Sequence, residues 1–176
     1  MSNAPRGFTL LLGTIALAMA IHWLHEAAHM LTAIGFGASG TMGTNTVRYA
    51  PGMTQTQVNW TTAAGPALMV LFGAFAAFSK WRWAPTVLIV VFLQRAMAAG
   101  ISAIADPNDE ARLSLALGLG KWSLFAVTVG ITGALFLWRW RKDQLGWKWL
   151  GISWLGVTLG IMVMVLLNGV VPKIVF

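Results

Sequence analysis

The sequence predicts an all-α integral membrane protein of about five transmembrane helices, with an extended or re-entrant segment after the first. Three observations carry this prediction. Of 176 residues, 57% are hydrophobic and only 10% are charged, whereas a soluble domain carries about a quarter charged residues. Several apolar runs reach or approach the roughly 20 residues that cross about 30 Å of hydrocarbon. Many of the ten tryptophans stand near the ends of those runs, as in KWRW and WRWRKDQLGWKW, where amphipathic rings anchor at the membrane interface.

The first span is predicted over Phe8–Leu31. Arg6, the apolar run and Ala18-Met19-Ala20 mimic a secretory signal. Cleavage there would strip the upstream anchor from the helix that carries HEAAH, so an uncleaved span is expected. The stretch GFGASGTMGTNTVRYAPGMTQTQVN that follows is rich in Gly and Thr and has no helical period, and 36–57 is the expected extended segment. Further spans are predicted over 60–78, 84–105, 119–138 and 149–170, the third and fourth separated by the acidic cluster ADPNDEAR. Pro51, Pro66, Pro85, Pro107 and Pro172 are read as helix starts or loops. The loops are too short for a second core, so residues 1–176 are expected to form a single membrane domain.

The net charge of +7 does not point to nucleic acid, because the basic residues lie at the ends of apolar runs, where they meet a lipid bilayer. With five spans, one face collects Arg6, Lys80, Arg82, Arg139, Arg141, Lys142 and Lys148, and the other Arg48, Arg112, Lys121 and Lys173. The richer face is expected to be cytoplasmic, with the N-terminus, in a bacterial inner membrane. There is no cysteine, so disulfides are excluded and any metal must be held by nitrogen and oxygen.

Within the first span, HEAAH (25–29) places two imidazoles four residues apart on one helical face. That spacing lets both grip one Zn²⁺ at about 2.0–2.1 Å. Glu26, offset by about 100° on the helix, can take a proton from an activated water and pass it to a leaving amine. A glutamate in hydrocarbon costs about 2.5 kcal/mol or more and needs a reason to be there. A catalytic zinc site usually has a third protein ligand. His22 lies too far along the same helix for good tetrahedral geometry and is expected beside the site. Asp106 and Asp109 follow the third predicted span on the membrane side where the histidines end, and Asp109 falls at a plausible first helical turn. Asp at such a position is also a common cap or dipole partner. Asn108 is a candidate for orienting a substrate carbonyl, and Arg95 for pairing with an acidic neighbour or steadying an oxyanion. A blander account makes the histidines links between helices or ligands of a haem or pigment.

Together HEAAH, AAGPALMVLFG (63–73) and NDEARLSLALGLG (108–120) resemble the site-2 protease family of intramembrane zinc metallopeptidases, in its short, minimal branch. The resemblance implies His25, His29 and Asp109 as zinc ligands and Glu26 as catalytic base. It implies peptide-bond hydrolysis in membrane-embedded protein substrates, with the 36–57 segment offering an edge to an extended substrate strand. Leu68 and Met69 stand where many relatives carry Asn, and the longer Asn-Pro…Leu-Asp-Gly form of the last motif is absent. The charge count also places the metal near the non-cytoplasmic face, whereas better-known relatives carry it towards the cytoplasm. A non-catalytic membrane subunit or assembly factor that keeps this fold and associates with other membrane subunits is the alternative expectation.

Overall fold

The computed structural model describes residues 4–176. It consists of α1 (Gly7–Gly35), β1 (Gly40–Met42), β2 (Val47–Tyr49), α2 (Gln55–Phe78), α3 (Ala84–Ile104), α4 (Asp109–Ala116), α5 (Ser123–Lys142), α6 (Trp147–Leu167) and β3 (Ile174–Val175). All of these helices except α4 are long and apolar enough to cross a membrane. Large apolar side chains such as Leu71, Phe75 and Phe78 face outward, as suits a hydrocarbon surrounding and not water.

Several boundaries differ from expectation, each for a local reason. Helix α2 starts at Gln55 rather than Trp60, because Thr54 and Gln57 form a reciprocal capping box that starts the helix in a polar stretch. Pro66 lies inside α2 and neither starts a helix nor occupies a loop. A separate short helix, α4, stands before the fourth span and is ended by Gly118 and Gly120 at φ +71° and +82°, so residues 119–122, expected to open that span, form a turn instead. Helix α5 therefore starts at Ser123 and runs on to Lys142, taking in residues expected in a basic loop. There Arg139 pairs with Asp143 at 2.7 Å and donates to the carbonyls of Ala77 and Ser79, closing the C-terminal end of α2.

Helix α6 packs on α1 through Gly156 and Gly160. A Cβ at Gly156 would stand 2.7 Å from Thr14 Cβ, and one at Gly160 would stand 2.8 Å from Ala18 Cβ. The Gly-x-x-x-Gly spacing lets the two backbones approach closely, which is how apolar helices gain contact without a hydrophobic driving force. Helix α3 is buried on every side from Ala84 to Val91 and contacts α1, α2, α5 and α6. The extended segment after α1 is the hairpin β1–β2, and β3 joins it from the C-terminal side in the antiparallel order β2-β1-β3. Helices α1, α3 and α6 all end, and α2 begins, at the pole of the bundle that carries this sheet and α4.

Candidate metal centre

Seventeen residues of helix separate Phe8 from His25, about 26 Å at 1.5 Å per residue, so HEAAH lies well along α1 towards the sheet-bearing pole. His25, Glu26 and His29 are buried, at 3%, 7% and 4% exposure. The two imidazoles meet edge to face, with centroids 4.7 Å apart and planes at 88°. Their Nε2 atoms are 3.2 Å apart. Asp109 arrives from the first turn of α4, with Oδ2 at 3.1 Å from His25 Nε2 and 3.2 Å from His29 Nε2. Among the described residues, His25, His29 and Asp109 form the only such group that could hold a metal ion.

The three ligand atoms make a nearly equilateral triangle. Zinc bound at about 2.0–2.1 Å spaces tetrahedral ligands by about 3.3–3.4 Å, so the triangle is close to one face of such a tetrahedron. Proton bookkeeping points the same way. His29 Nδ1 lies 2.7 Å from the Thr61 carbonyl, which can only accept, so Nδ1 carries the proton and a neutral His29 presents a bare Nε2. That lone pair faces the Asp109 oxygen. The contact is repulsive unless His29 gains a second proton or a cation sits among the three atoms. Burial by itself would raise the Asp109 carboxyl, but imidazoles that carry a proton towards it outweigh burial and hold it well below the ordinary carboxylate range, and a cation among the three atoms would act in the same sense.

Helix α2 supplies the wall behind the rings. A Cβ on Gly65 would lie 2.4 Å from His25 Cε1 and 2.5 Å from His29 Nε2. Only glycine lets α2 come this close. Pro66, next in the chain, lacks the N–H that would otherwise bond the Thr62 carbonyl, and Thr62 lines the adjoining cavity.

Helix α4 is held by a buried ion pair. Arg95 Nη1 donates to Glu110 Oε1 at 3.0 Å, and Thr128 Oγ1 reaches the same oxygen at 3.3 Å. Arg95 and Glu110 are 4% and 1% exposed, so α3, α4 and α5 are tied together immediately beside Asp109. Asn108 does not orient a ligand through its amide nitrogen. Its Nδ2 donates to the Ala98 carbonyl and its backbone N–H to Ser102 Oγ, which fastens the start of α4 to the end of α3. Asp106 is exposed and lies outside the cavity wall, because the first turn of α4, and not the loop before it, faces the histidines. His22 is not a ligand either: its Nε2 pairs with Asn45 Oδ1 at 2.8 Å, and its ring stacks 6.3 Å from that of His25. Asn45 N–H in turn donates to Asn168 Oδ1 at the end of α6, so His22 ties the hairpin turn to the helix bearing the site.

A cavity of about 230 Å³ opens from the triangle, lined by Glu26 and Asp109 and by Thr46, Val47 and Tyr49 of the hairpin. Tyr49 is the only tyrosine of the chain. Burial, and then the Asp109 and Glu26 carboxylates, push its pKa above the ordinary value, so its hydroxyl stays a proton donor. Comparison with protein-family models, with curated proteins and with solved structures returned no match.

The sequence pointed to the histidines, Glu26 and Asp109. Gly65 is legible only as half of a Gly-Pro motif, and no motif marks Tyr49 or Glu110. A lone tyrosine in an otherwise tyrosine-free membrane chain was the available signal for Tyr49. For Glu110, the signal was a buried-phase arginine, Arg95, that needed a partner.

Proposed function

We propose that this protein is a zinc-dependent intramembrane endopeptidase that hydrolyses peptide bonds of membrane-embedded protein substrates. The observation that carries the reading is the His25–His29–Asp109 triangle opening onto a cavity that also holds Glu26. His25, His29 and Asp109 would hold the zinc ion, which would supply a Lewis acid able to polarise a carbonyl and acidify a water molecule. Glu26 is the base that takes the proton from the attacking water and returns it to the departing amine. Tyr49 offers an O–H donor to the carbonyl oxygen as negative charge develops on it. Strand β2 is terminal in its sheet and contributes Val47 and Tyr49 to the cavity wall, which supports its outer edge as the register for an extended substrate strand. A substrate helix must unwind before this step, since its amides are otherwise bonded within it. The resemblance to the site-2 protease family supports the same assignment. The distribution of basic residues supports a cytoplasmic N-terminus in a bacterial inner membrane, with the site towards the opposite face.

The test is metal analysis paired with cleavage of single-span proteins in reconstituted vesicles. Glu26→Gln is expected to retain zinc while cleavage falls by about 10²- to 10⁴-fold. Equal cleavage by wild type and Glu26→Gln would sink the mechanism. A wild type that binds zinc and cleaves no membrane-embedded protein would favour the non-catalytic subunit.

A further inference from the structure

Two cavities adjoin α3 and α6. One is the metal-bearing cavity, whose wall includes Met97 and Ile101 from α3 and Ile161 and Val165 from α6. The other lies nearer the basic pole. It is a groove of about 510 Å³ with an almost wholly apolar lining that includes Leu93 of α3, Trp140 of α5 and Gly151 and Trp154 of α6. Its origin is a packing choice. Helix α5 packs on α3, with Phe136 stacked on Phe92 at 5.9 Å, while α6 packs on α1. The two consecutive helices touch through Trp140 and Trp147 beside their connecting loop, centroids 4.9 Å apart, and the groove opens alongside.

We infer that the seam between α3 and α6 is the docking groove for the transmembrane helix of the substrate, which delivers one unwound end of that helix to the metal centre. This rests on the peptidase reading of the site. Leu93, Met97 and Ile101 recur every four residues along one edge of α3, and Trp154, Ile161 and Val165 recur at helical spacing along one edge of α6. Both helices run from the basic pole to the site pole, so these rows set the groove and the metal-bearing cavity one after the other along the same helix edges. From Leu150 to Val165 the seam is about 22 Å long. That matches about 15 helical residues and leaves the rest of a roughly 20-residue span for the extended stretch at the site. Gly151 provides the close approach. A Cβ there would find nothing within 4 Å, so the space beside Gly151 is open and another helix backbone can settle against it. A lipid acyl chain matches the apolar half of the seam but gains nothing from its polar end, where Glu26, His22 and Asp109 line the wall. A peptide does, because its unwound amides need partners there.

The chain has no cysteine, so single-cysteine variants are unambiguous reporters. The probe is a synthetic Leu/Ala-rich span with a Gly-Pro pair near its site-side end and one cysteine, reconstituted with the protein in phosphatidylcholine vesicles. With the probe cysteine placed level with Gly151 or, in a second probe, level with Ile161, the matching Gly151→Cys or Ile161→Cys variant is expected to cross-link to it about tenfold or more over Leu71→Cys and Phe75→Cys on the outer face of α2. Leu93→Trp should abolish the difference. Equal yields at all four positions, or capture of a photoreactive acyl chain alone at 151 and 161, would overturn the docking groove. In a second arm, Gly151→Trp should lower cleavage of the spanning probe about tenfold or more. Cleavage of a short soluble peptide of the same scissile sequence should be unchanged, and loss of both cleavages or of neither also overturns the groove. If wild type cleaves neither probe, the peptidase reading fails, and cross-linking alone decides docking.

Discussion

Replacing Gly65 by alanine adds one methyl group where the structure has no room for it. The new Cβ would fall 2.4 Å from His25 Cε1, 2.5 Å from His29 Nε2 and 2.7 Å from His25 Nδ1. Ordinary carbon contacts begin at about 3.5 Å, so the rings or α2 must shift by about 1 Å. A metal constellation tolerates about 0.5 Å before it loosens. Zinc affinity should therefore fall at least as far as when a ligand's supporting partner is removed, about 10- to 100-fold. Helix propensity favours alanine by about 0.5–1 kcal/mol, whereas overpacking costs about 1–3 kcal/mol, so the fold is expected to survive with a modest loss of stability. Loss of metal from a chain that still unfolds cooperatively isolates the steric effect at the site. Gly73→Ala, in the same helix, is the control, since its Cβ would meet nothing closer than 3.7 Å. The assay is chelator competition for zinc in detergent, with thermal unfolding followed by circular dichroism. Gly65→Ala binding zinc as tightly as wild type and Gly73→Ala would refute the placement of the rings against α2.

Asp109→Ala should weaken zinc binding by about 100-fold or more, because even outer partners of a ligand cost 10- to 100-fold. Asp106→Ala should leave it unchanged, and equal losses from the two would show that α4 does not present Asp109 as described. Arg95→Met leaves Glu110 buried without its partner and should cost about 3–5 kcal/mol of stability. The double variant Arg95→Met with Glu110→Leu should recover much of it, as read from denaturation midpoints in detergent. Failure of the double variant to recover any stability would mean that the pair is not coupled.

Composition and local chemistry alone determined a great deal here. Length of apolar runs, basic termini and tryptophan placement specify helices that cross hydrocarbon, because a bilayer leaves a backbone few other ways to satisfy its hydrogen bonds. The four-residue interval of His25 and His29 likewise specifies a shared face, because helical geometry is regular. Boundaries were less legible where polar capping at Thr54 or the glycines at 118 and 120 overrode hydropathy. Tertiary structure alone decided that Asp109, and not His22 or Asp106, stands against both imidazoles, since this depends on how α4 is tied to α3 by Arg95, Glu110 and Asn108. It also decided that Gly65 is the wall behind the imidazoles, and that β3 returns to complete the sheet. Such pairings join residues tens of positions apart, and nothing in the local pattern of either partner encodes the distance between them.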